Sequence, residues 1–258
     1  MAAKRKKTPK PAPASYRQRD YRNLVSAGKL AAFHVQVRET DLHILATRDL
    51  TVEAEAAVLR YRAQLEGYLA DHPTFLPALV PLPLDPLAPP LVKEMLWAGI
   101  AAEVGPMAAV AGAMAEFVGR DLLALAGVQE VSIENGGDIF LARQEACVVA
   151  IFAGTSPLSN RVGLRLPSAR MPLGVCTSSG TVGHSLSFGT ADAVTVLAAS
   201  TSLADAAATR IGNVVHSGRD LDQALAVAQA IDGIQGVVVI KDEQLGAWGE
   251  VELVRLDA

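Results

Sequence analysis

Cysteines and aromatic side chains are scarce: two cysteines and 5% Phe, Trp and Tyr in 258 residues. Cys147 and Cys176 are too far apart for a zinc knuckle, and no His/Cys pattern with ligand spacing accompanies them. With too few cysteines for a disulfide framework, a reducing compartment is the simplest expectation. So small an aromatic share also argues against a nucleic-acid surface built on stacked bases. The longest apolar run, Val104 to Ala115, carries Gly105, Pro106 and Gly112 and is shorter than the roughly 18 residues a membrane-spanning helix needs. No apolar core follows the basic N-terminus as it would in an export signal, so the expectation is a cytoplasmic protein with no membrane span.

Charge is unevenly placed. The formal net charge is -4, yet Lys4, Arg5, Lys6, Lys7 and Lys10 open the chain without an acid among them, so removing those five leaves -9 for the remainder. The body is therefore acidic, and residues 1–15 read as a disordered basic leader, with contact to nucleic acid or anionic lipid as the alternative for that tail. The remaining residues, 16–258, are expected to form a single domain, with two lobes joined through a Pro-rich stretch as the alternative. Half of the residues are hydrophobic, chiefly Ala, Val and Leu, enough for a large and closely packed core.

Phe33 to Leu45 alternates apolar and polar residues and predicts a strand pair, and Tyr16 to Asn23 mixes arginine with tyrosine ahead of it. Apolar residues at spacings of three and four predict a helix over Thr51 to Ala70, ended by Pro73. Seven prolines between Pro73 and Pro90 exclude regular structure, and the interleaved Leu, Val and Phe predict an extended strap packed on the body. Two helices follow, Leu91 to Glu103 and Met107 to Ala126. The second starts at Val-Gly-Pro-Met, where free amides would suit an anion if the helix is not simply a packing element. Further strands are expected at Val148 to Ala153, Val162 to Leu166, Gly174 to Cys176, Val237 to Ile240 and Glu250 to Leu256, and Asp220 with Gln223 predicts a capping box.

Three stretches carry candidate chemistry. Val128 to Ile133 and Ile139 to Ala142 flank Glu134-Asn135-Gly136-Gly137-Asp138, a strong hairpin signal whose glycines would also let a backbone approach a bound ring or phosphate. Thr177 to Gly189 is a loop rich in hydroxyls and glycine, with Thr177, Ser178, Ser179 and Gly180 at its start and His184 within it. Such loops offer many donors to phosphate oxygens. The third runs from Ala193 to His216, a β-branched strand leading into a helix with Ser202 at its N-cap. Asp205, Thr209, Asn213 and His216 form one polar stripe on an otherwise apolar helix. Spacing alone leaves two readings: Asp205 completes a capping box while Thr209 bonds back into the preceding turn, or the pair holds a hard cation and its phosphates.

Familiar constellations are absent. Gly183-His184-Ser185-Leu186-Ser187 ends on serine where a nucleophile elbow needs glycine. Neither a Walker nor a dinucleotide glycine pattern occurs. Taken together, Glu134-Asn-Gly-Gly-Asp-Ile, Thr177-Ser-Ser-Gly, His184 and Ala204-Asp-Ala-Ala-Ala-Thr resemble the ApbE superfamily of flavin transferases. Glu39-Thr-Asp-Leu, Val104-Gly-Pro-Met-Ala-Ala-Val-Ala-Gly, Gly189-Thr-Ala-Asp-Ala-Val and Gly246-Ala-Trp-Gly bring the chain closer to that superfamily's prokaryotic ApbE-like branch. The resemblance spans roughly Tyr16 to Val254.

It implies an α+β body of the T-fold kind, with mixed or antiparallel sheets packed with helices. It also implies FAD in a cleft, Mg²⁺ beside the pyrophosphate, and transfer of FMN to a hydroxyl of an acceptor protein with release of AMP. By position, Asp205 and Thr209 become metal ligands and His184 a catalytic base. Asn135, Gly136, Gly137 and Asp138, with Thr177, Ser178, Ser179 and Gly180, become flavin-nucleotide contacts. A non-catalytic flavin carrier is the alternative, and the oligomeric state stays open, a homo-oligomer included. Two departures bear on activity. Ala111 stands before Gly112 where the family has lysine, and the family's Asp-Pro-x-Thr-Gly run after the histidine is missing, Asp192 being the next acid.

Overall fold

The computed structural model describes residues 29–182 and 187–256. The basic leader, Tyr16–Asn23 and His184 lie outside the described residues.

The strands are β1 (Ala31–Val37), β2 (Thr40–Ala46), β3 (Val131–Asn135), β4 (Asp138–Ala142), β5 (Cys147–Ala150), β6 (Val162–Leu166), β7 (Leu173–Ser178), β8 (Ala193–Ala198), β9 (Ile234–Lys241), β10 (Gln244–Gly249) and β11 (Leu253–Arg255). The helices are α1 (Thr51–Asp71), α2 (Pro90–Ala101), α3 (Val110–Leu123), α4 (Thr201–Gly212) and α5 (Leu221–Gln229). Eight strands form one sheet in the order β1-β2-β3-β4-β7-β8-β9-β10, and β11-β6-β5 form a second. All of these pairings are antiparallel. The fold is thus α+β with antiparallel sheets.

Period-two alternation divides the large sheet between two cores. Val131, Ile133, Phe140, Cys176, Val194 and Val196 join the helices in one core. Ile139, Leu141, Val175, Leu197 and Val238 meet Val149, Leu164 and Leu166 of the small sheet in the other. A strand buried on both faces can spare few polar positions, which explains the near-continuous apolar run of β8.

Several local expectations are corrected. Ser200, not Ser202, caps α4: its extended backbone leaves β8 directly, and its Oγ accepts the Leu203 N–H at 3.2 Å. The helix ends at Gly212, short of His216. Asp220 does take part in a capping box, but as the acid returned to Ser217 on the 3-10 turn Gly218–Asp220, not as a partner of Gln223. A 3-10 turn at Pro106–Ala109 precedes α3 and takes over the start expected of that helix. Strand β10 was not expected, because Gly246 and Gly249 weaken its alternation.

The strap behaves as its composition dictates. Residues 73–89 form neither helix nor strand. Phe75 is buried, with its ring edge-on to Tyr68 at 5.4 Å. Asp85 accepts the Tyr68 hydroxyl at 3.0 Å and the Leu87 amide at 2.8 Å, fastening the middle of the strap to α1. Gly105 lies so close beneath the Ala78 and Leu79 backbone that a side chain there would collide with it.

Candidate functional site

The Gly-Gly hairpin is formed by its own backbone preferences. Asn135 and Asp138 are the last paired residues, and Gly136 and Gly137 turn the chain with φ of 70° and 112°, a conformation that favours glycine. Glu134 Oε1 accepts the Gly137 N–H at 3.0 Å, and the Gly137 carbonyl accepts the Thr177 N–H at 3.1 Å. The hairpin is therefore fixed against the end of β7, where the hydroxyl-rich loop begins. Asp138 faces Cys176 across the β4–β7 ladder.

Helix α3 brings its N-terminus to the same place. Its own N-cap position is Ala109, which has no side-chain acceptor, so the first amides need one from elsewhere. Asp205 supplies it: its Oδ2 accepts the Gly112 N–H at 2.8 Å, and the Ala111 amide is a second donor. Part of the anion site expected at this helix start is thus filled by a carboxylate of the chain itself. Asn135 Nδ2 donates to the Ala111 carbonyl at 3.1 Å, tying the hairpin to the same turn. A Cβ on Gly112 would stand 2.5 Å from the Thr201 carbonyl oxygen and 2.9 Å from Asp205 Cβ, so the two helices can approach this closely only at glycine.

Asp138 and Asp205 are both buried and repel one another. Burial raises the Asp205 carboxyl to about 7, against the opposing pull of the Gly112 and Ala111 amides. Burial, then the charge of Asp205, drives Asp138 well above the ordinary carboxylate range. The Cys176 thiol, which donates to the Thr201 carbonyl at 3.3 Å, is pushed well up by burial and by the same two acids.

The polar stripe grades outward from this centre: Asp205 is buried, Thr209 and Asn213 are half-buried and His216 is exposed. Thr177 and Thr195 hydroxyls bond at 2.9 Å, and Ser178 Oγ lies 3.9 Å from where a Cβ of Gly212 would stand. Ser179 has local work, accepting the amides of Thr181 and Val182 at 3.2 and 3.0 Å. Gly180 donates its amide to the Ala191 carbonyl at 2.9 Å and packs against Gly189. Asp192, the acid that follows the loop, is a latch: its Oδ1 accepts the Thr181 hydroxyl at 3.2 Å and its Oδ2 the Asp242 amide at 2.6 Å.

The structure therefore brings Asn135–Asp138, Thr177, Ser178, Asp205 and Thr209 to one end of the large sheet. Sequence reasoning missed Cys176, whose signal was its register beside Thr177, and Glu116, which carries no local signal. The hollow between Ser217–Arg219 and Asp242–Gln244 contains none of these groups. Among the described residues no three His, Cys, Asp or Glu side chains gather as a metal cage. Two buried acids short of positive charge, beside hydroxyls, nevertheless fit a hard cation that takes part of its coordination from water or phosphate.

Comparison with known proteins agrees with this architecture. The chain is 41% identical over 229 residues to a UPF0280 protein of Methanococcus aeolicus, covering 86% of this chain and 92% of that one. It is 43% identical over 212 residues to a UPF0280 protein of Methanocaldococcus jannaschii, covering 80% and 85%. Among solved structures, the apo flavinyl transferase ApbE of Pseudomonas stutzeri superposes with a TM-score of 0.55 at 17% identity, covering 85% of this chain and 94% of that one. The ApbE protein of Thermotoga maritima gives 0.56 at 12%, covering 86% and 97%. The family model described as "AbpE bacteria" matches residues 22–252. The chain belongs to that family and is a member of the ApbE-like superfamily.

Proposed function

We propose that this protein is a Mg²⁺-dependent enzyme of flavin nucleotides that cleaves FAD, passing FMN to a hydroxyl acceptor or to water. The observation that carries the reading is the buried acid pair Asp138 and Asp205, with the half-buried Thr209 one turn along the helix from Asp205, next to a glycine hairpin in a fold shared with flavin transferases. Asp205 and Thr209 would hold the cation, with Asp138 close enough to add charge. A bound Mg²⁺ would neutralise the diphosphate and make its phosphorus easier to attack.

The remaining roles follow from position. Gly136 and Gly137 leave room for the flavin, and Asn135 orients the hairpin by its bond to Ala111. Thr177 and Ser178 offer hydroxyls to phosphate, while Ser179 and Gly180 shape their loop. His184 is the proposed base: it takes the proton of the attacking hydroxyl as the new O–P bond forms to FMN and the bond to AMP breaks, AMP leaving with the electron pair.

The second reading is a flavin carrier without turnover. It draws on Ala111, which puts a methyl group where the family has a lysine and so removes one cation from the phosphate side. The two are separated by incubating the purified protein with FAD and Mg²⁺, with and without a threonine-bearing acceptor, and resolving nucleotides by chromatography. AMP release supports the enzyme. FAD that is bound and returned intact supports the carrier, and FAD that never binds overturns both.

A further inference from the structure

We propose that the outer face of the strap and α2 is the interface of a symmetric homodimer. Among the described residues, large hydrophobic side chains left in water concentrate here. Leu76, Leu79, Val80, Leu84 and Leu87 point outward from the strap, and Trp97 and Ile100 from α2. Val80 is 66% exposed and Leu87 93%. The same strap turns Phe75 and Ala88 into the core and half-buries Leu82, so it has an inner and an outer apolar face, and packing among the described residues accounts only for the inner one. On α2 the exposed residues Lys93, Trp97 and Ile100 recur at four and three and form one stripe. The crossing of Ala78 and Leu79 over Gly105, a few residues beyond Ile100, brings the strap to the C-terminal end of that helix.

Area, rigidity and charge select the occupant. These seven side chains, each more than 40% exposed, leave apolar surface on the order of one partner's share of a standard protein interface. A two-fold axis through such a face would let each copy cover the other. The face is already ordered, because Asp85 ties the strap to Tyr68, Phe75 anchors it and prolines stiffen it, so pairing would cost little conformational entropy. Charge argues against an anionic membrane. Within residues 73–101 the charged residues are Asp85, Lys93 and Glu94. Asp85 is engaged by Tyr68 and the Leu87 amide, and Glu94 accepts the Ser200 hydroxyl, which leaves Lys93 as the charge outside those bonds. A single lysine provides no basic rim for anionic lipid.

Sedimentation equilibrium of the full chain tests the proposal. The expected mass is twice 27.0 kDa, falling to the monomer in Leu87→Asp and Val80→Asp, with an unchanged circular dichroism spectrum. Val52→Asp, an equally exposed apolar position on α1, should leave the dimer intact. A wild-type monomer at all concentrations up to about 100 µM, or a dimer that survives both substitutions, overturns the proposal. So does a monomer that pellets with phosphatidylcholine vesicles, which would assign the face to lipid.

Discussion

Glu116 and Asp205 exchange helix caps. Glu116, on α3, accepts the Thr201 N–H at the start of α4 at 2.7 Å, while Asp205, on α4, accepts the Gly112 N–H at the start of α3 at 2.8 Å. The pairing of Gly112 with Asp205 and of Glu116 with Thr201 makes the two helices antiparallel. Each carboxylate satisfies amides that its partner helix cannot satisfy from its own N-cap, and each lies near a positive helix end. Asp205 is therefore both a structural cap and the acid at the centre of the site.

Removing the first of these caps should weaken the fold without touching the flavin. Glu116→Ala leaves the buried Thr201 amide without a charged acceptor and releases Arg120, which holds Glu116 at 2.7 Å. Denaturant unfolding should register a loss of about 1–2 kcal/mol.

Gly112→Ala tests the closeness of the crossing. Its methyl group would meet the Thr201 carbonyl at 2.5 Å, a backbone atom that cannot move aside without shifting α4. The expected loss is about 2–3 kcal/mol by the same measurement, and divalent-cation affinity should fall with it as Asp205 is displaced.

The raised carboxyls give the metal-free protein a distinct pH profile. Asp205 titrates near 7 in the folded chain and near an ordinary carboxylate value when unfolded. Between those values the folded state holds a proton that the unfolded state has released. Its contribution to stability is therefore complete at low pH and is lost as pH rises through about 7. Asp138, shifted the same way, deepens the decline. Thermal unfolding in chelator should show the melting temperature falling from about pH 5 to pH 8. Asp205→Asn, which keeps an amide acceptor for Gly112 but no charge, should flatten that slope.

The hairpin can be tested separately. Gly137→Ala places a Cβ at φ of 112°, costing about 1–2 kcal/mol in backbone strain alone, since the Thr177 carbonyl at 3.4 Å would be in ordinary contact. FAD affinity, followed by flavin fluorescence, should drop roughly tenfold, the equivalent of about 1.4 kcal/mol.

What the sequence made legible was what short-range physics decides. The Asn-Gly-Gly-Asp turn, the helix of α1 and the irregular strap follow from backbone preferences and apolar spacing within a few residues. The α4 cap was misplaced because Ser200, Thr201 and Ser202 can all cap, and only the end of β8 selects the first. The Glu116 and Asp205 caps span 85 and 93 residues, so no local pattern could reveal them. Asp205 was singled out by its place in an apolar helix, but its hydrogen-bond partner was legible only once the strands had set α3 against α4.

The proposed site requires a divalent cation at Asp205 and Thr209 against a diphosphate. Electron paramagnetic resonance of Mn²⁺ tests it most directly, because free Mn²⁺ gives a signal that is lost on binding. In the presence of FAD, the wild-type protein should remove Mn²⁺ from solution in competition with Mg²⁺, and Asp205→Asn should remove none. Equal uptake by the two proteins, or no uptake by the wild type, would contradict the account.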